Sequence, residues 1–336
     1  MLESIVQKLK KARRVILSTH RQCDGDGLGA QIALLHGLLK IGIDARLVNV
    51  DRPPARYSFL GFDNWLEVFE PGQTRLEGTN LALLLDTNDG RLVEPLYSEL
   101  LDRKIETLFI DHHPVLAKGP MPPDGSVIDV TAASTGELAY YILKELGVQL
   151  DAQIARALYT SVVFDTRLFR YVKARPSSHI IAAELLKYER EPEEIHRRLF
   201  ATYSVSKMNA LMRSLARVEY SANNRIAFIP FPASEYMTPG GLERDESGDI
   251  IDQVMNIESI EIAALLREDG PGKYKLSLRS RGTIEVLSLA ESFGGGGHRY
   301  ASGAYLEGTY ENLRAQILTR LQDLVPFDSL KRSSQT

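Results

Sequence analysis

Four short stretches of this chain carry residues that can do chemistry together. The first is His20-Arg-Gln-Cys-Asp24-Gly-Asp26, which directly follows a short apolar run. A histidine and two carboxylates at this spacing cannot share one helix face. In a loop they can converge on a cation, and the interleaved Gly25, Gly27 and Gly29 let the backbone fold tightly around it. The second is Asp111-His112-His113, followed by Pro114. Adjacent histidines in extended backbone point in different directions, so one can ligate while the other meets a substrate as proton donor or phosphate contact. The third and fourth are Asp86 in LLLDTNDGR and Asp165 in SVVFDTRLFRY. An aspartate closing an apolar run is unusual, because strands disfavour Asp and burying an unpaired carboxylate is costly. Each stretch alone also reads as a turn, a cap or polar surface. Together they hold enough ligands for two divalent cations. A carboxylate and imidazole set without thiolate favours Mn²⁺ or Mg²⁺ over structural zinc. Two such ions about 3.5–4 Å apart activate water and neutralise charge in phosphoester cleavage.

A fifth stretch, Phe293-Gly-Gly-Gly-Gly-His298-Arg299, suggests where an anion could sit. Consecutive glycines, Gly295, Gly296 and Gly297 among them, expose backbone N–H groups that can surround phosphate oxygens. His298 and Arg299 would add charge-assisted donors. Arg279 and Arg281, in KLSLRSRG, are expected on a neighbouring strand and facing the same side.

The elements that must position these residues follow from hydrophobic spacing. Residues 14–19 form a β-branched apolar run, Gly27 to Ile41 has helical spacing with Gly42 as its stop, and IDARLVNVD reads as the next strand. Strand, loop, helix and strand in this order make a βαβ unit and hence a parallel sheet. Leu81–Leu85 and Thr107–Ile110 are two more buried strands, ending at Asp86 and Asp111. Acidic residues thus stand at strand ends, the edge where open α/β sheets bind ligands. Ser134 followed by Glu137 is a capping-box pattern, and residues 151–165 read as another helix. Residues 177–217 are helical and polar, and after Asn223 the pattern changes to short strands and turns. The domain boundary is expected between about 185 and 220.

Composition narrows the function classes. The chain has 336 residues, of which 44% are apolar and 25% charged, which excludes a disordered or fibrous protein. No apolar run reaches the ~18 residues that cross a bilayer, so no membrane partner is expected. The N-terminal stretch lacks the apolar core of a signal peptide, and Cys23 is the only cysteine, so a reducing, cytoplasmic setting is expected. The net charge of −4 argues against a long basic track for nucleic acid. A local excess of Lys and Arg between Arg167 and Arg217 reads as a solvated helical face or as a positive wall beside an acidic site.

With these residues in hand, the chain resembles the DHH phosphoesterase family with its DHH-associated C-terminal domain. The resemblance rests on H-x-x-x-D-x-D at 20–26, Asp86, Asp111-His112-His113, Asp165 and GGGGH at 294–298, in matching order and spacing. Within the family it is similar to the oligoribonuclease/pAp-phosphatase (nanoRNase) branch. The resemblance implies an α/β fold. A DHH domain over 1–188 would have a parallel sheet with helices on both faces. A helical linker over 189–220 and a smaller α/β domain with a mixed sheet over 221–330 would follow. It further implies that His20, Asp24 and Asp86 bind one metal. Asp26, Asp86, His112 and Asp165 would bind the other, with Asp86 bridging. Mn²⁺ is the implied ion, with Mg²⁺ or Co²⁺ as alternatives. His113 would face the scissile phosphate and Asp111 would orient its neighbours. Arg279, Gly295–His298 and Arg299 would hold the far phosphate or terminal nucleotide. Two residues depart from the family pattern: Cys23 stands where many members have proline, and Arg167 where glycine is common.

The implied activity is hydrolysis of very short oligoribonucleotides to mononucleotides, or of pAp to AMP and phosphate. Phe169, Tyr171 and Tyr300 are candidates for base stacking. The alternative within the same chemistry is a phosphodiesterase for cyclic di-AMP or pApA. A RecJ-type exonuclease would need a further nucleic-acid-binding domain, and the GGGGH tail argues against a family II pyrophosphatase. The alternative of another class is a non-catalytic nucleotide-binding regulator. Such a protein would have lost a ligand, and none is missing here. A homodimer is compatible with an apolar helix over 27–41 that is not wholly internal.

Overall fold

The computed structural model describes residues 2–115, 121–235 and 247–325. The chain divides into two units, Met1–Thr202 and Tyr203–Thr336. The first contains α1 (Leu2–Lys11), β1 (Arg14–Thr19), α2 (Gly25–Lys40), β2 (Asp44–Asn49), β3 (Leu66–Val68) and β4 (Leu81–Leu85). It continues with α3 (Leu96–Asp102), β5 (Glu106–Asp111), β6 (Val127–Ile128), α4 (Thr135–Glu145), α5 (Ala152–Asp165), α6 (Ser177–Leu185) and α7 (Pro192–Phe200).

The six strands pair in parallel in the order β3-β2-β1-β4-β5-β6. Alternation along β1 explains the layers. Val15 and Leu17 enter a core with residues of α1, α2, α4 and α5, while Ile16 points to the opposite core with Leu96 and Leu100 of α3. Helices therefore cover both faces, which is why Leu81–Leu85 is apolar without alternation.

Helix α2 begins at Gly25, two residues earlier than its apolar spacing indicates. Asp24 is the cause: as N-cap its carboxylate accepts the Asp26 N–H at 2.9 Å and the Gly27 N–H at 3.3 Å. Asp26 consequently lies in the first helical turn, not in a loop. Asp165 closes α5, as the helical reading of residues 151–165 expects.

The second unit contains α8 (Val205–Leu215), β7 (Glu219–Ser221), β8 (Ile226–Phe231), α9 (Ser247–Val254), β9 (Ile262–Gly270) and β10 (Lys273–Ser280). After them come α10 (Leu287–Ser292), β11 (Gly296–His298), β12 (Ala301–Glu307) and α11 (Tyr310–Leu324). Its sheet, ordered β11-β12-β10-β9-β8-β7, is mixed, with β8 and β9 parallel and the other pairs antiparallel. Strand β8 again alternates: Ile226 and Phe228 pack with α10 and α11, Ala227 and Ile229 with α8 and α9.

Residues 189–220, expected as a linker, divide between the units. Ile195 and Leu199 of α7 are buried in the first core, and Ala210 and Leu211 of α8 in the second. The end expected at 330 lies outside the described residues. No helix among the described residues is long and apolar enough to cross a membrane.

Candidate metal centre

The strand order of the first sheet reverses between β1 and β4, since β2 and β3 lie on one side and β5 and β6 on the other. At such a switch point the loops leaving adjacent strands part and open a crevice at the carboxyl edge. His20 to Asp26 follow β1, Asp86 follows β4 and Asp111 ends β5, so this crevice collects them. Gly27 makes the close approach possible. A Cβ there would lie 2.2 Å from Thr19 Oγ1 and 3.1 Å from Asp86 Cβ.

The side chains meet in three overlapping groups, each with its ligand atoms within 4.8 Å: His20, Asp24 and Asp86; Asp26, His112 and Asp165; and Asp86, Asp111, His112 and His113. Asp86 takes a left-handed backbone (φ 60°), and its N–H donates to Ile110 O at 2.9 Å. His20 Nε2 lies 3.5 Å from Asp86 Oδ2. His112 Nε2 lies 3.5 Å from Asp26, 3.7 Å from Asp86 and 3.4 Å from Asp165.

Asp111 is differently placed. It is fully buried and accepts from Asn88 Nδ2 at 2.7 Å, from the N–H of His112 at 2.8 Å and of His113 at 3.2 Å, and from His113 Nδ1 at 2.8 Å. With its oxygens so engaged, it orients the two histidines. Asn88 also donates to the His113 carbonyl at 3.0 Å.

Electrostatics decide whether this cluster suits a cation. Burial, then the neighbouring Asp24, pushes the Asp26 carboxyl up to about 6. Burial followed by the charge of Asp26 holds Asp86 and Asp165 well above the carboxylate range. Burial lowers His112 to about 4, whereas for His113 the hydrogen bond and charge of Asp111 outweigh burial and raise it. His112 Nδ1 faces the Ala132 carbonyl at 3.4 Å, which leaves the Nε2 lone pair among carboxylates. That nitrogen is buried without a hydrogen-bond partner. A lone pair confronting carboxylates is unfavourable unless a cation stands between them, so the donor set fits divalent metal.

Three residues that the sequence did not single out complete the site. Thr135, at the start of α4, donates its N–H to Asp26 Oδ2 at 2.8 Å and its hydroxyl to Asp86 Oδ1 at 3.0 Å. Gly136 N–H donates to Asp26 Oδ1 at 3.1 Å, and the Ser161 hydroxyl donates to the same oxygen. The α4 N-terminus thus points at Asp26, the usual placement for an anion. The capping pattern around Ser134 was the signal that could have located Thr135.

In the second unit, Arg279 on β10 and His298 on β11 both pair with Ala301 of β12, which sets them in one row on one face of the sheet. The glycine run between is only partly open. Gly294 and Gly295 donate their N–H groups to Glu291 and Ala290, closing α10, and Gly296 and Gly297 pair with Gly303 and Ser302. A Cβ on Gly295 would lie 2.0 Å from Gly303 O, so close strand packing explains that glycine without any ligand. Arg299 pairs with Glu285 and lies over Tyr300. Arg281 does not share the role of Arg279. It lies past the strand and donates to the carbonyls of Met255, Ile257 and Ile260, fixing the end of α9.

Comparison with known proteins agrees with this architecture. The DHH family N-terminal domain matches residues 14–162 and the DHHA1 domain residues 232–325. The bifunctional oligoribonuclease and PAP phosphatase NrnA of Thermus thermophilus is 29% identical over 298 residues, covering 88% of this chain and 84% of its own. The Bacillus subtilis protein of that name is 26% identical over 311 residues, covering 90% and 93%. A solved structure of an exopolyphosphatase-related protein from Bacteroides fragilis has the same fold, with a TM-score of 0.86 at 22% identity over 96% of this chain and 95% of that one. Each family match falls within one of the two units, and the matched N-terminal region includes every clustered side chain except Asp165, three residues beyond it. The chain carries a DHH family N-terminal domain in its first unit and a DHHA1 domain in its second.

Proposed function

We propose that this chain is a metal-dependent phosphoesterase that hydrolyses very short oligoribonucleotides to mononucleotides and pAp to AMP and phosphate. The observation that carries the reading is the buried His112 Nε2 held among Asp26, Asp86 and Asp165. The names of the Thermus thermophilus and Bacillus subtilis relatives supply the substrate class.

In this reading His20, Asp24 and Asp86 hold one divalent cation, and Asp26, Asp86, His112 and Asp165 the other, with Mn²⁺ the preferred ion. Bound there, the pair would lower the pKa of water and screen the phosphate. Asp86 serves both groups, which its left-handed backbone and the Thr135 hydrogen bond allow. His113 protonates the leaving oxygen. With Nδ1 turned to Asp111, Nε2 is the nitrogen for that task. Asp111 keeps that tautomer in place. Arg279, His298 and Arg299, with the backbone of Gly296 and Gly297, are the proposed holders of the terminal nucleotide, and Gly295, whose N–H donates to Ala290 O, shapes the turn before them. A cytoplasmic setting belongs to the same reading, because Cys23 is a free buried thiol.

The test is direct. Purified protein with Mn²⁺ should release mononucleotide from dinucleotide RNA and phosphate from pAp, and chelation should abolish both. Failure to turn over either substrate would refute the proposal.

A further inference from the structure

Helix α5 ends beside the metal ligands in a turn that glycine normally makes. The Arg167 N–H donates to Phe164 O at 3.2 Å and the Leu168 N–H to Val163 O at 3.0 Å, with Arg167 at φ 50°. This double-bonded cap places a left-handed residue one position past the C-cap, Thr166. The equivalent place is held by Gly42 after α2, Gly147 after α4, Gly294 after α10 and Lys104 after α3. After Lys104 the chain passes at once into β5. After Arg167 it stays left-handed through Leu168 (φ 59°) and Phe169 (φ 65°). Side chains crowd the backbone in this region, so three in succession form a strained run. Thr166 holds it: its hydroxyl accepts the Phe169 N–H at 3.0 Å and its carbonyl the Tyr171 N–H at 2.9 Å. Phe169 has a packing reason to be there, because it stacks on His179 at 5.0 Å and packs against the core. Arg167 and Leu168 are exposed and gain no such burial.

The strain does place a cation. The Arg167 guanidinium lies 5.8 Å from the centre of the Phe164 ring. That ring in turn abuts Gly25, between Asp24 and Asp26. The charge of Arg167 also acts on Asp165, opposing the effect of burial. Two residues from Asp165, an exposed guanidinium suits the anionic part of a substrate that the metals would not reach. Its planar fork matches phosphate. Strain retained beside a site is a pointer to function.

We propose that Arg167 is a specificity-determining residue that binds a phosphate of the substrate other than the one being cleaved, such as the 5′-phosphate of pApA or pAp. The proposal rests on the phosphoesterase reading above. It is tested with wild type, Arg167→Gly and Arg167→Lys in Mn²⁺, using the pairs pApA against ApA and pAp against 3′-AMP. Arg167→Gly should raise KM for pApA and pAp about tenfold or more, the size expected for a lost charge-assisted hydrogen bond. The loss on ApA and 3′-AMP should be smaller, and Arg167→Lys should recover part of it. Because glycine relieves the left-handed turn, the melting temperature of Arg167→Gly should equal or exceed that of wild type. Equal losses within each pair, no loss at all, or a lowered melting temperature would each overturn the assignment. Inactivity of the wild type on all four substrates would overturn the phosphoesterase reading instead.

Discussion

The Thr135 hydroxyl donates to Asp86 Oδ1 at 3.0 Å, a contact between residues 49 positions apart in the chain. The N–H of the same threonine donates to Asp26 Oδ2, so a single residue sets the orientation of carboxylates in both metal groups. Replacing Thr135 by Val keeps the shape and the N–H but leaves Asp86 without this donor. Such supporting hydrogen bonds are worth about 10- to 100-fold in metal affinity or activity. The Mn²⁺ concentration for half-maximal activity should rise about tenfold in Thr135→Val, and Thr135→Ser should restore it. An unchanged Mn²⁺ titration curve would show that Asp86 is held by other means.

Asp111→Asn separates orientation from ligation. The amide is the same size and can still accept from His113, but it carries no charge to favour the Nδ1-protonated form. If His113 serves the leaving group, kcat should fall by about 10²-fold or more. Half-saturation by Mn²⁺ should move much less, since Asp111 already accepts from Asn88 and the two histidines. A large rise in the Mn²⁺ requirement with kcat preserved at saturation would make Asp111 a ligand instead.

The crowded carboxylates also set a pH dependence of stability. Asp26 titrates at about 6 in the folded chain against 3.8 ordinarily, and Asp86 and Asp165 are also held well above their ordinary value. A raised folded value means that the folded chain holds these protons more tightly than the unfolded chain. The resulting penalty is absent below the ordinary value, grows through the interval between the two values, and is complete above the folded one. Bound metal removes the penalty by supplying the missing charge. The rise in melting temperature on adding Mn²⁺ to chelator-treated protein should therefore be larger near about pH 7.5 than near about pH 5. The reverse ordering would mean that the cluster does not bind the metal.

Much of the site could be read from the sequence because its signals are local. Buried parallel strands are unbroken apolar runs, and an Asp at the end of such a run stands out, as Asp86 and Asp111 do. The joint occurrence of His20, Asp24, Asp26, His112 and Asp165 with them was informative where each alone was not. What escaped depends on distant chain segments meeting. Thr135 and Ser161 hold Asp26 across separations of 109 and 135 residues, and no spacing rule reports that. The glycine run offers N–H groups to an anion, but the packing of Gly295 against Gly303 is a steric demand that composition does not distinguish from a phosphate loop. Arg281 looked like a partner of Arg279 because two residues apart on a strand share a face. The strand ends at Ser280, one residue before that rule could apply.

Gly27 tests the junction on which the site depends. Two effects of Gly27→Ala oppose each other. Alanine favours the helix over glycine by about 1 kcal/mol, and Gly27 lies in the first turn of α2. Against this, the new Cβ would lie 2.2 Å from Thr19 Oγ1, and that hydroxyl is itself fixed by donation to Leu85 O at 2.9 Å. Neither β1 nor α2 can withdraw cheaply, because both belong to the same buried core. Overpacking of this kind costs about 1–3 kcal/mol, so the overlap should win and urea unfolding should show net destabilisation. Moving α2 away from β4 would also draw Asp24 and Asp26 from Asp86, so Mn²⁺ binding should weaken in the same variant. A Gly27→Ala protein that is more stable and binds Mn²⁺ unchanged would mean that helix and strand ends do not meet this closely.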